Sequence, residues 1–291
     1  MDILDRGRKA LERAVPNGLK RRVKRAVATE RKADVVNVYH CTTHKAASSW
    51  ITGLLRDEII FAHSGLDCFV YQHEWMQGQD SCNYDERYFS KPFPKYTAAA
   101  RLYWHYDCFR QLPKPDDYRA FFVLRDPRDV VVSWYFSMKN THPVDGVERR
   151  RQTRDRLQEL PKDDGLCFAI EYLSDYGLFE AQRSWMKVDD PRVRVFKYKD
   201  LTGTRQLEEM ENLFDHCTIA IPNSELRILL RRHGWKATED REKGEEDRSS
   251  HRRKGVSGDW RNHFDTAVKT RFVQTVGGLP TELGYSATRR E

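Results

Sequence analysis

Long apolar runs are missing from this chain of 291 residues. No run of about eighteen apolar residues occurs, and Met1-Asp2-Ile3-Leu4-Asp5-Arg6 has no apolar leader core, so neither a membrane-spanning helix nor a secretory signal is expected. Cysteine is sparse: Cys41, Cys68, Cys82, Cys108, Cys167 and Cys217 form no Cys-x-x-Cys pair and no metal-ligand spacing. They read as buried thiols of a reducing compartment, and no zinc or other metal site is expected. The glycine loop Gly-x-x-x-x-Gly-Lys-Ser/Thr is missing too, which counts against a magnesium-dependent kinase or ATPase. Present instead are 51 Lys and Arg against 44 Asp and Glu, a net charge of +7, and a 39% hydrophobic fraction rich in Phe and Tyr. The core suffices for one large domain. The charge favours anionic partners, which could be nucleic acid, a membrane surface, an acidic polymer or a nucleotide, and does not choose among them.

The organising stretch is Val35-Val-Asn-Val-Tyr-His-Cys-Thr-Thr-His-Lys-Ala-Ala-Ser-Ser-Trp50. It reads as a buried strand, a tight turn of small residues, and a helix with Trp50, Ile51, Leu54, Leu55 and Ile59 on its apolar face. Such a turn is an anion site, because the open amides of the first helical turn and the positive end of the dipole face it. Lys45 adds a charge, Ala46 and Ala47 let the chain turn tightly, and Ser48 and Ser49 add hydroxyl donors. The expected occupant is a phosphate.

A second signal is Arg119-Ala-Phe-Phe-Val-Leu-Arg125-Asp-Pro-Arg-Asp129-Val-Val-Val-Ser133-Trp-Tyr135. Phe121 to Leu124 suits a central parallel strand, and Pro127 suits a helix start, where its missing N–H costs nothing. Arg125 therefore lies at the strand's carboxyl end and Ser133 about two turns into the helix. Arg101 to His105 reads as a short strand ending in histidine, and Gly165 to Val188 as one long amphipathic helix. Val193 to Tyr198 is a strand by alternation, and Asn262 to Val276 a closing helix. Thr238 to His251, dense in charge and without an apolar anchor, reads as a mobile loop. Residues 1–34 form a basic helical appendage whose apolar stripe docks on its own domain or touches anionic lipid; residues 35–291 form the main domain.

These motifs resemble, in order, those of sulfotransferases that use 3′-phosphoadenosine-5′-phosphosulfate (PAPS). Lys45-Ala-Ala-Ser-Ser-Trp50 resembles the family's 5′-phosphosulfate loop, and Arg125, Pro127, Asp129 and Ser133 match its Arg-x-Pro-x-Asp-x-x-x-Ser. Tyr198-Lys-Asp-Leu201 resembles Tyr-Glu-Asp-Leu, and Arg253-Lys254-Gly255-Val-Ser-Gly-Asp-Trp260 its Arg-Lys-Gly-x-x-Gly-Asp-Trp. The resemblance implies an α/β fold, a single domain with a central parallel β-sheet flanked by helices, like that of P-loop nucleotide hydrolases. It implies that Arg125, Ser133, Arg253, Lys254 and Gly255 hold the cofactor's 3′-phosphate. Lys45, Ala46, Ala47, Ser48 and Ser49 would hold its 5′ end, Tyr198 the adenosine, and Trp50 and Trp235 would sandwich the adenine.

The implied reaction is metal-free sulfuryl transfer from PAPS to an acceptor hydroxyl or amine, leaving 3′-phosphoadenosine-5′-phosphate (PAP). Lys45 would neutralise the leaving group and His105 would take the acceptor's proton. His105 stands before Leu112-Pro113 as in the family, although Tyr103 and Trp104 replace the Lys-Thr that precedes the family's histidine. Glu74 or His73 is the rival base. The implied partner is a small-molecule or glycan acceptor and no nucleic acid, and the implied location is cytoplasmic. The family's dimerisation motif is absent, so the oligomeric state stays open. Two competing readings are a nucleoside or small-molecule kinase on a related scaffold and a basic anion-binding module without catalysis.

Overall fold

The Phe121–Leu124 run lies at the heart of a five-stranded sheet. The computed structural model describes residues 33–70, 84, 91–144 and 146–285. The basic appendage up to Lys32, His73 and Glu74 lie outside the described residues. The strands are β1 (Asn37–Thr42), β2 (Asp67–Val70), β3 (Thr97–Tyr103), β4 (Tyr118–Leu124) and β5 (Val193–Lys197). All pairings are parallel, in the order β2-β3-β1-β4-β5. Every residue of β1 is buried, as a central parallel strand covered on both faces requires. Tyr39 and Cys41 enter one core and Val38 the other, the alternation a pleat dictates.

Helices cover both faces. After β1 come α1 (Ser48–Arg56) and α2 (Glu58–Ser64), and after β3 comes α3 (Tyr106–Gln111). After β4 come α4 (Pro127–Phe136), a π-helical turn (Ser137–Thr141), α5 (Glu148–Glu159), α6 (Lys162–Asp175) and α7 (Leu178–Ser184). After β5 come α8 (Tyr198–Thr202), α9 (Gln206–His216), α10 (Asn223–Arg232), α11 (Thr266–Val276) and α12 (Leu279–Glu282). Among the described residues no helix is long and apolar enough to cross a membrane.

Three boundaries depart from the sequence expectation for local reasons. The Gly165–Val188 helix is two helices, because Gly177 takes φ +74° and starts α7 on a new axis. The last long helix begins at Thr266, where the Asp265 carboxylate accepts from the Val268 amide, a side-chain cap that fixes a helix start. The strand before His105 ends at Tyr103, and His105 itself caps α3.

The topology places the site. The chain leaves β1 toward β2 on one side of the sheet and leaves β4 toward β5 on the other. Adjacent strands with diverging connections open a crevice at their carboxyl ends, where ligands bind in open α/β sheets. Thr42 pairs with Val123 across that junction, so the turn holding Lys45 and the turn holding Arg125 open side by side.

Candidate functional site

The turn after β1 is tight without glycine. Lys45 and Ala47 both adopt left-handed backbone, with φ of 66° and 62°, a conformation that costs a non-glycine residue energy and tends to mark functional turns. Ala46 is buried beneath it. α1 starts at Ser48 with no side-chain cap from Ala47, which leaves its first-turn amides directed at the turn. The buried Ser48 hydroxyl meets the Tyr103 hydroxyl at 2.7 Å. His44 stacks on Tyr103 at 4.1 Å, and its backbone N–H donates to the Tyr84 hydroxyl at 2.8 Å. Ser49 is exposed and Trp50 half-buried against the core.

Arg125 ties the two turns together. Its Nη1 donates to the Lys45 carbonyl at 2.8 Å and its Nη2 to the Val256 carbonyl at 3.3 Å, while its Nε is buried without a partner. The guanidinium lies over the Tyr198 ring at 4.6 Å, and the Tyr198 hydroxyl donates to the Gly255 carbonyl at 3.4 Å. Lys45, Arg125, Tyr198 and Gly255, separated in sequence by up to two hundred and more residues, thus form one contact network. Burial, and then the Arg125 charge, pull the Lys45 amine down to about 7. The full charge expected of Lys45 is therefore only partly present at neutral pH. A cavity of about 450 Å³ is lined by Arg125, Tyr198, Ser257 and Gly258 on the Arg125 side of this network and does not include Lys45.

The late basic loop is built differently. Arg253 and Lys254 both donate to the buried Asp259 carboxylate, the lysine at 2.7 Å, and Arg253 also pairs with Glu246. These bonds, with one from His263, hold the Asp259 carboxyl far below its ordinary range despite burial. The two cations expected to face a phosphate are thus already paired in this structure. Gly255, at φ +71°, packs so closely on Trp235 that a Cβ would overlap the indole, so glycine is required there on two counts. Trp235 also carries the Arg241 guanidinium over its ring at 4.7 Å and donates from Nε1 to the Arg241 carbonyl at 2.8 Å. Among the described residues, no stacking contact joins Trp50 and Trp235. α10, which leads to Trp235, is nonetheless tied to the end of α1, since Asp57 accepts from Arg232 at 2.8 Å and pairs with His233 at 2.8 Å.

His105 is not bonded to this network directly: its backbone N–H donates to the Tyr84 carbonyl at 3.0 Å, and the Tyr84 hydroxyl accepts from the His44 backbone beside Lys45. His105 is half-buried, and its Nδ1 accepts from the Asp107 amide at 3.2 Å as the cap of α3. That bond places the neutral ring's proton on Nε2 and commits the lone pair to the helix. Two other histidines sense the Lys45 charge. His142, at the end of the π-helical turn, is pulled down to about 4 by burial, then Arg150 and Lys45. His251 is lowered chiefly by Lys45.

The sequence left several positioning residues unassigned. Asp129, within the quoted Arg-x-Pro-x-Asp pattern, accepts the Gly258 and Trp260 amides at 2.6 and 2.9 Å and so clamps the late loop onto α4. Ser133 follows one turn later on the same face. Asp126 caps α4 and grips Arg128 through two bonds, and Arg128 lies over Trp260 at 3.9 Å. Arg241 donates to the Arg252 and Arg253 carbonyls as well as stacking on Trp235. The loop from Thr238 to His251 therefore has an aromatic anchor that its composition concealed.

Similarity to known proteins follows the same lines. Human sulfotransferase 2A1 is 24% identical over 183 residues, covering 57% of this chain. The chain spans about three fifths, 59%, of that relative's length. Mouse sulfotransferase SULT7A1 complexed with PAP superimposes with a TM-score of 0.54 at 18% identity, covering 88% of this chain and 86% of that one. Retinol dehydratase in a complex with retinol and PAP gives 0.50 at 15% identity over 90% and 84%. At these identities the two structures attest the fold. A family model described as a sulfotransferase domain matches residues 104–279, a span that holds Arg125, Ser133, Tyr198 and the late basic loop and begins after the Lys45 turn. With more than half of its length matched in this way, the chain belongs to the sulfotransferase domain family.

Proposed function

We propose that the chain transfers the sulfuryl group of PAPS to a hydroxyl or amine of an acceptor, releasing PAP. The observation that carries this reading is the Arg125 junction. One guanidinium bridges the Lys45 turn and the Val256 backbone and, with Tyr198, Ser257 and Gly258, lines a cavity of about 450 Å³, which supports the reading that an anion is held on each side of this arginine. An arginine fork suits a phosphate because it offers parallel donors.

In this reading Arg125, Ser133 and the Arg253-Lys254-Gly255 loop hold the 3′-phosphate. For Arg253 and Lys254 to reach it, the phosphate shares them with Asp259. Ala46, Ala47, Ser48 and Ser49 cradle the 5′ end with the α1 amides. Tyr198 contacts the adenosine, and Trp50 and Trp235 flank the adenine once Arg241 yields one indole face. PAPS supplies an electrophilic sulfuryl group, so the protein's work is alignment and neutralisation of charge on the departing phosphate. Lys45 answers that charge: an arriving anion raises its amine from about 7 and draws a proton to it.

The acceptor's proton goes to His105 in this proposal, which requires the ring to turn out of its cap. His142 is the competing base, favoured by its proximity to Lys45 and its neutral state at pH 7. The acceptor is a small molecule or glycan. The enzyme is tested by incubating it with PAPS and a panel of alcohols, phenols, amines and glycans while following PAP release. Acceptor-dependent PAP supports the proposal, and its absence across the panel with ATP consumed instead would favour a kinase. If His105→Ala keeps most of its turnover while His142→Ala loses it, the base is reassigned.

A further inference from the structure

Resting on the reading that the Lys45 turn takes the nucleotide's 5′ end, we propose that Arg101 is a second cation of that turn and binds the nucleotide's 5′-phosphate. Arg101 sits in β3 where its pairing with β1 slips: Tyr39 pairs with Ala99, but Cys41 pairs with Leu102, one residue further on. Arg101 absorbs the slip with a left-handed φ of 62°. Such bulges re-aim a side chain near a functional site, and this one turns Arg101 toward α1. Its Nε donates to the Thr52 hydroxyl at 3.2 Å and its Nη2 to the Ser49 hydroxyl at 3.4 Å. Ser49 and Thr52 are one turn apart on the same face, so the guanidinium lies along the first turn of the helix whose open amides face the anion site.

Both partners are neutral, and among the described residues no carboxylate pairs with Arg101. A half-buried cation without a counter-ion costs free energy that an arriving anion recovers. Arg128 and Arg253, more deeply placed, each have a carboxylate. Lys45 is only partly protonated at neutral pH, whereas a guanidinium keeps its charge throughout the working range. The Arg101 charge also contributes, after burial, to the lowering of His40 and, after Lys45, burial and Arg252, to that of His251.

The test is calorimetry on the full chain with PAP and with adenosine 3′-monophosphate, which lacks the 5′-phosphate, for wild type, Arg101→Gln and Arg101→Lys. Arg101→Gln is expected to weaken PAP about tenfold to 100-fold and to change adenosine 3′-monophosphate less than about twofold, and Arg101→Lys to recover part of the loss. Equal losses for both ligands would make Arg101 structural and overturn the inference. So would an unchanged preference for PAP in Arg101→Gln. A wild type that does not prefer PAP overturns the underlying site reading as well, so the two failures are distinguishable.

Discussion

The early turn and the late loop both collect cations, yet they treat them in opposite ways. Arg101 and Arg125 donate to hydroxyls and backbone carbonyls, and among the described residues neither they nor Lys45 form an ion pair with a carboxylate. Arg253 and Lys254 converge on Asp259, with Glu246 beside them. The early site stores its demand for an anion as desolvated charge, visible in the lowered Lys45. The late loop satisfies its own charge and thereby holds its shape without ligand. An anion gains Coulomb energy at the first and must trade partners at the second, so affinity should come mainly from the early turn and geometry from the late loop.

The largest effect should follow from removing the bridge between them. Arg125→Ala is expected to lower kcat/KM at least about 100-fold, measured with PAPS at fixed acceptor, because it deletes a charged group from a water-poor site. A loss below about fivefold would mean that the two regions act separately. Next comes the late loop's own clamp. Asp259→Asn should cost about 3 kcal/mol of unfolding free energy at pH 7, since it leaves Arg253 and Lys254 without their buried partner. The Asp259 carboxyl is lowered in the folded state, so its stabilisation is present above the unfolded value near 4 and fades as pH falls through the folded one. Denaturant titrations at pH 7 and pH 3 should show the gap between wild type and variant narrowing at the lower pH; a gap of constant size would mean that the ion pairs do not hold the loop.

The early turn should answer to alkali instead. Lys45 is near 7 when empty and is raised by a bound anion, so PAP affinity should fall between pH 7 and 9 by up to about tenfold per pH unit. Lys45→Met should weaken PAP and flatten that profile, and a profile as steep as the wild type's would assign the proton elsewhere. The smallest change is expected from Arg241→Ala. Loss of the anchor on Trp235 should raise the rate of proteolytic cutting between Thr238 and His251 severalfold. Unchanged cutting would show that the ion pairs alone hold that loop.

How much of this could be read from the chain depended on whether a signal was local. The Phe121–Leu124 run, the Pro127 helix start and the turn before Trp50 are each set by neighbours in sequence, whereas the parallel sheet as a whole is what the family resemblance implies. The network of Lys45, Arg125, Tyr198 and Gly255 could be anticipated from its motifs, but its bonds could not. Arg101 escaped because a bulge moves a strand residue off its alternating face, and alternation is all the sequence offers there. The neutralised late loop escaped because Arg253-Lys254 reads as free charge until Asp259, five and six residues on, folds back. His105 looked like the end of a strand, where a base would project into the crevice, whereas two residues of turn made it a helix cap. Arg241 lay hidden within a run of charges whose composition has the look of solvated chain.

The most direct measurement is calorimetric comparison of PAP with ATP and magnesium on the full chain. PAP is expected to bind at least about 100-fold more tightly than ATP, with the difference shrinking to less than about tenfold in Arg125→Ala. ATP binding as tight as PAP, or no binding of PAP at all, would contradict a crevice built for two separate phosphates.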